Sequence, residues 1–185
     1  AIVNTNLQSA TDDDYRSNLI GTKNLVDALA GAKLRAFVHI SSLAALGIRP
    51  VGMVDESFPE NPDLPYGKAK LAVDTYLRER ARTGGLPVVL LRPPTVYGPR
   101  ERYNFLALCR ALRERKFLLI GRGDNRIDFC AVENLVDAMI LAAEKGRAGE
   151  TYLISDERPL PFRETVDTLS RLVLGRRLTC REGEA

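Results

Sequence analysis

Residues 87–94 read PVVLLRPP. The apolar run is too short for a helix of ordinary length. It is rich in β-branched residues and closed by prolines on both sides, so 87–93 reads as a buried strand stopped by Pro93-Pro94. Upstream, 35–41 reads RAFVHIS, a second short apolar run ending in Ser41-Ser42. Between the two strands lies LPYGKAK at 64–70, opening a segment with helical character from about Tyr66 to Arg82 and ending before Gly84-Gly85. Strand, helix and strand in that order, with near-continuous apolar strands, predict a parallel α/β sheet.

The rest of the chain continues the alternation. A helix is expected over 11–30, with Thr11 or an early Asp at its start and Asp12, Asp13 and Asp14 complementing its N-terminal dipole. Gly31 ends it. Residues 43–65 read as loop, with Gly47, Pro50, Gly52, Pro59, Pro62 and Pro65. Further helices are expected over 105–115, 132–144 and 161–174, and strands over 117–121 and 150–155. In the 132–144 helix, Leu135, Val136, Met139, Ile140 and Ala143 are expected to share one face. There is no internal repeat and no low-complexity segment.

At 185 residues the chain has one domain's worth of sequence or slightly more. Its formal net charge is +3, and its Arg residues are interleaved with Asp and Glu without a basic stripe. Nucleic-acid binding is therefore not expected. There are three cysteines, Cys109, Cys130 and Cys180, with no CxxC and a single His, which argues against a structural zinc site or any other metal. Unpaired thiols suit a reducing compartment, so a cytoplasmic location is expected. No apolar run of about 18 residues or signal peptide is seen, and no membrane association is expected. The chain opens on Ala1-Ile2-Val3 without Met and closes on CREGEA directly after a helical segment, so both ends read as cut.

Chemistry enters with Tyr66 and Lys70. Four residues apart, they share a helix face. A phenol with a pKa near 10 is a poor base at neutral pH. A neighbouring ammonium favours the phenolate and lowers that pKa. A hydroxyl from Ser41 or Ser42, at a strand end, is placed to bond a reacting carbonyl or alcohol beside the Tyr. In parallel sheets ligands sit at the carboxyl ends of strands, so the Ser-Ser and Arg92-Pro-Pro ends should face one crevice. A Tyr-x-x-x-Lys pair alone is common. Its position between a Ser-Ser strand end and an Arg-Pro strand end makes it informative.

Five blocks in order, SNLIGTKNLVDAL (17–29), FVHISSLAALG (37–47), DESFPENPDLPYGKAK (55–70), LRPPTVYGPR (91–100) and GRGDNRIDFCAVENLVDAMILA (121–142), resemble the extended short-chain dehydrogenase/reductases of the NAD-dependent epimerase/dehydratase group. The second block departs from the family pattern, with Leu46-Gly47 where Tyr-Gly is usual. The resemblance implies a Rossmann-like doubly wound parallel sheet lacking its first βαβ unit in this chain, with a small C-terminal substrate-binding portion. Residues 1–95 would be the remainder of the NAD(P)-binding domain. Residues 96–185 would be mostly substrate-binding and interleaved with late Rossmann elements. No Gly-x-x-Gly-x-x-Gly loop, which would hold a pyrophosphate on a helix N-terminus, occurs in the chain.

By the same resemblance the catalytic residues are Ser42, Tyr66 and Lys70. The cofactor, NAD ahead of NADP, would meet Asn18, Ser41, Tyr66, Lys70 and Pro94. Thr95, Asn104 and Arg126 would meet the substrate. The implied enzyme is an epimerase or dehydratase of a nucleotide-diphosphate sugar working by transient hydride transfer. It would be a homodimer through helices 12–30 and 66–82. Two alternatives stand beside it: a reductase or dehydrogenase of a sterol-like or phenolic carbonyl, and a non-catalytic dinucleotide-sensing protein. Bland roles are expected elsewhere: packing for His39, Tyr97, Phe129 and the cysteines, a turn at Asp124 and Asp128, and solvated or phosphate-facing positions for Arg100 and Arg122. Arg176-Arg177 reads as a solvated helix end.

Overall fold

The computed structural model describes residues 11–47 and 52–176. The readings at Ala1, Pro50, Arg177 and Cys180, and those of the Asp12 and Asp14 side chains, lie outside the described residues. In chain order the elements are α1 (Asp12–Ala28), β1 (Phe37–Ile40), a short 3-10 helix (Leu43–Leu46), α2 (Pro65–Gly84), β2 (Val88–Arg92), β3 (Thr95–Tyr97), α3 (Asn104–Arg113), β4 (Arg126–Ile127), β5 (Phe129–Ala131), α4 (Val132–Lys145), β6 (Thr151–Leu153), β7 (Leu160–Pro161) and α5 (Phe162–Leu174).

The chain forms two compact units. Among the described residues, the first holds 11–47, 52–94 and 133–154, the second 95–132 and 155–176. In the first, β1, β2 and β6 form a parallel sheet in that order, with Phe37 opposite Val88 and Leu90 opposite Thr151. Strand alternation sends Val88 and Leu90 to one face, where Val26 of α1 and Val73 and Leu77 of α2 cover them. Val89 and Leu91 turn to the other face and meet Ala138 and Ala142 of α4. Both faces of β2 are thus covered, and all five of its residues are buried. This α/β arrangement is what a near-continuous apolar strand requires.

In the second unit β3 pairs parallel with β5, and β4 pairs antiparallel with β7. The sequence reading missed all four. They are two- or three-residue strands, defined by pairing across the chain and without a periodic pattern of their own. A strand expected over 117–121 is not formed. The α3 end closes with Arg115 at φ 56 and Lys116 N–H donating to the Ala111 carbonyl, and the following segment finds no ladder partner among the described residues. Leu118 and Ile120 point outward, 72% and 89% exposed. The 43–65 loop also contains the unforeseen 3-10 helix. On α4, Leu135, Ala138 and Ala142 turn inward, whereas Val136, Met139 and Ile140 of the expected apolar face are exposed.

Candidate active site

Helix α2 opens on Pro65, whose fixed φ suits a first helical position. Tyr66, Lys70, Asp74 and Arg78 recur every fourth residue and share a face. Gly67 brings this face against the 3-10 helix. A Cβ there would collide with the Ala44 carbonyl oxygen and the Pro62 Cβ. Gly67→Ala is therefore expected to cost about 1–3 kcal/mol, read by urea denaturation, because a backbone oxygen has no rotamer through which to yield. Wild-type stability in that variant would show that close approach is not what seats α2.

The hydrogen-bonded ladder continues past β1, with Ser41 N–H donating to the Leu91 carbonyl at 2.8 Å and Leu43 N–H to that of Pro93 at 2.9 Å. Extended backbone sends the two serines different ways. The Ser41 hydroxyl donates to Asp74 Oδ2 at 2.8 Å and is buried. Ser42 caps the 3-10 helix by accepting from Ala44 N–H at 3.2 Å, and its hydroxyl lies close enough to the Tyr66 phenol to lower the phenol's pKa.

Burial pushes the Tyr66 phenol above its ordinary value, the Ser42 hydroxyl pulls it back, and Tyr15 raises it further. The lowering expected of Lys70 is not what sets this phenol: burial comes first, and the lowering comes from Ser42. The Tyr15 ring meets Tyr66 edge-on at 5.6 Å between centroids. Lys70 is 5% exposed, and its Nζ donates to the Ile40 carbonyl at 3.0 Å and stands 5.9 Å from the Tyr66 ring centroid. Burial lowers its pKa, and the Asp74 charge opposes that.

Beneath this pair lies a buried ionic cluster. Arg92, at the end of β2, donates from Nε and Nη2 to Asp74 Oδ2 at 2.9 and 2.7 Å. Its Nη2 also reaches Glu60, which takes a two-pronged bond from Arg78 at 2.7 Å on each arm. Arg78 holds the Glu60 carboxyl below its usual range. Burial raises Asp74, against the Ser41 bond and Arg92. His39 Nε2 lies 3.9 Å from Asp74 Oδ1, and neither atom makes a hydrogen bond among the described residues.

Burial, followed by the Lys70 charge, takes His39 from 6.5 to about 4. The unfolded chain binds a proton there first, so this depressed value contributes stability above pH 6.5 that is lost as pH falls toward 4. His39→Gln is expected to remove up to about 3 kcal/mol of acid sensitivity over that window, read as the difference between wild-type and variant urea denaturation at each pH. Parallel pH curves for the two proteins would contradict the assignment.

Asn18 is half-buried on α1, one turn after Tyr15, and its carbonyl accepts from Thr22 Oγ1 at 2.8 Å. Pro94 follows the β2 end. The structure thus gathers Ser42, Tyr66 and Lys70 around one point of the first unit, with Ser41 turned beneath them. Thr95, Asn104 and Arg126 belong to the second unit. There Thr95 pairs with Phe129, Asn104 opens α3, and Arg126 is exposed and donates to the Pro159 carbonyl at 3.2 Å. Tyr97 stacks on Phe105 and donates to Asp156 at 2.9 Å, a packing role. Asp124 pairs with Arg122, and no metal-holding group of His, Cys, Asp or Glu occurs among the described residues. Sequence reasoning missed Asp74, Glu60 and Gly67. The signal for Asp74 was present in the fourfold spacing that continues from Tyr66 and Lys70.

The family model described as "NAD dependent epimerase/dehydratase family" matches residues 1–155. The chain belongs to that family. Among its curated relatives is a 4-hydroxy-2-methyl-3-oxo-4-farnesyl-3,4-dihydroquinoline-1-oxide ketoreductase of Stigmatella aurantiaca, 31% identical over 86% of this chain and 49% of the relative. A dTDP-glucose 4,6-dehydratase of Streptomyces niveus is 36% identical over 75% of this chain and 42% of the relative. Of solved structures, a UDP-glucuronic acid 4-epimerase of Bacillus cereus in complex with UDP-glucuronic acid and NAD superposes with a TM-score of 0.81 at 26% identity, over 98% of this chain and 59% of that one. The chain spans about half the length of the curated relatives it matches.

Proposed function

We propose that the chain carries the acid–base centre of an NAD(P)-dependent epimerase or dehydratase acting on a nucleotide-diphosphate sugar, with Tyr66 as the acid–base group. The observation that carries this reading is that Ser42 and Lys70 flank the Tyr66 side chain, the Ser42 hydroxyl lowering the phenol's pKa and the Lys70 ammonium 5.9 Å from the ring centroid. Tyr66 takes the proton of a sugar hydroxyl. Ser42, whose hydroxyl stands beside that phenol, steadies the charge that develops on the substrate oxygen. Lys70, anchored on the Ile40 carbonyl, turns an ammonium toward the Tyr66 ring and favours its phenolate.

The residues present suit the nicotinamide end of a dinucleotide. Lys70 makes one hydrogen bond among the described residues, to Ile40, which leaves ammonium donors for a ribose hydroxyl. Ser41 and Asn18 would support that end and Pro94 would line it. A nicotinamide held there would supply a reversible hydride acceptor for the sugar carbon. No residues for the pyrophosphate loop occur in this sequence. We take the three-stranded sheet as the later part of a doubly wound Rossmann sheet whose first βαβ unit these residues do not include. The domain reading of 1–95 and 96–185 follows from it, with Thr95, Asn104 and Arg126 on the substrate side.

The ketoreductase relative favours a second reading, net carbonyl reduction by the same trio. Nucleotide released from the full-length protein and identified by mass separates the two. Co-purifying NAD without net consumption is expected for the epimerase or dehydratase. Reversible NADPH binding with stoichiometric oxidation marks the reductase, and binding of neither overturns both. A homodimer through α1 and α2 is further proposed, supported by Ile20 and Leu25 of α1 at 45% and 51% exposure. A monomer in light scattering of the full-length protein would refute it. No helix among the described residues is long and apolar enough to cross a membrane. Cys109 and Cys130 are free thiols, which supports a reducing, cytoplasmic setting.

A further inference from the structure

We propose that Asp74 is a positioning residue for the Tyr66–Lys70 pair, clamping α2 to the ends of β1 and β2 and supplying a buried counter-charge to Lys70. This rests on the acid–base reading of Tyr66 given above.

The geometry is a three-way clamp. Asp74 is fully buried one turn beyond Lys70. Its Oδ2 accepts from Ser41 of the β1 end and from two nitrogens of Arg92 at the β2 end. Three donors converging on one oxygen suit an ionised carboxylate. Ser41 precedes Ser42 directly, so the bond that holds Ser41 also sets the start of the 3-10 helix on which Ser42 sits. The helix face that carries Tyr66 and Lys70 is thereby registered against the strand end that carries Ser42. A shift of about 1 Å in such a constellation is enough to cost roughly 10²-fold in rate.

The electrostatics add a second, separable consequence. Lys70 is nearly as buried as Asp74, and burial disfavours its ammonium, while the Asp74 charge opposes this. The titratable and charged groups facing the two are His39 from β1, Arg92 from β2, Glu60 from the segment before α2, Arg78 and Tyr66 from α2 itself, and Tyr15 from α1. Arg92 and Arg78 lean on Asp74 and Glu60, and His39 is neutral above about pH 4. Asp74 is the carboxylate one helical turn from the Lys70 ammonium.

The test follows the Lys70 side-chain nitrogen through a pH titration by isotope-edited NMR on the full chain, with Lys70→Met to assign the signal. In Asp74→Asn the Lys70 titration is expected to move to lower pH, and Asp74→Glu to bring it back toward wild type. Should Asp74→Asn fail to fold, the coupling is read from the other side. Lys70→Met removes a buried charge, and the Asp74 carboxyl should then titrate at higher pH than in wild type, since the interaction is mutual. Wild-type titration of Lys70 in a folded Asp74→Asn, or of Asp74 in Lys70→Met, overturns the inference and leaves the role of Tyr66 standing. Full turnover in Tyr66→Phe overturns the acid–base reading without moving either titration.

Discussion

Tyr66→Phe is expected to lower turnover of the full-length protein roughly 10²–10⁴-fold while leaving its fold intact. The phenyl ring fills the same space against Tyr15, so the edge-on ring contact survives. Only the oxygen is lost from beside the Ser42 hydroxyl. The stability cost is at most about 1 kcal/mol, because the Ser42 hydroxyl still accepts from Ala44. Catalysis loses far more, since no other phenol or imidazole lies on this face of α2. Steady-state kinetics beside a thermal melt would check both halves. A variant that melts as wild type and turns over at wild-type rate would remove Tyr66 from the mechanism.

Arg92→Leu is expected to cost about 3–5 kcal/mol, the largest effect on stability in the chain. The guanidinium is 2% exposed and is the cation bonded to Asp74. Without it the buried carboxylate loses the one cation hydrogen-bonded to it, with only the Lys70 and Arg78 charges farther off, and that penalty exceeds the apolar gain of the Leu. Glu60 fares better, because Arg78 still holds it in a two-pronged pair near the surface. Adding Asp74→Leu to Arg92→Leu should recover most of the loss, since two apolar side chains of similar size satisfy a buried site that one lone charge does not. Urea denaturation of the two single variants and the double would decide it. A double variant no more stable than Arg92→Leu would mean that the cost arises from packing and not from charge.

Much of the first unit was legible because its signals are local. The run 88–92 is apolar at every residue but the last, and such a strand must be covered on both faces whatever surrounds it. Tyr66 and Lys70 are bound to one face by helical geometry alone. The segment 117–121 misled for the same reason. Its composition suits a strand, but a strand exists only with a partner, and none meets it among the described residues. Val136, Met139 and Ile140 show the same limit, since hydrophobicity marks what a helix is able to bury and not which stripe faces the sheet.

The sequence by itself determined the order of strands and helices in the first unit, the parallel sheet that order demands, and the spacing that puts Tyr66, Lys70 and Asp74 on one face of α2. Only the tertiary structure decided which serine does what. Ser41 and Ser42 are chemically alike and adjacent, but successive residues of an extended chain point opposite ways. The ladder past β1 turns Ser41 down to Asp74 and leaves Ser42 to the Tyr66 phenol. Likewise nothing in the composition of Glu60, Asp74 and Arg92, 14 and 18 positions apart, announces a buried cluster. Three elements had to converge before charges ordinarily solvated became one another's only solvent.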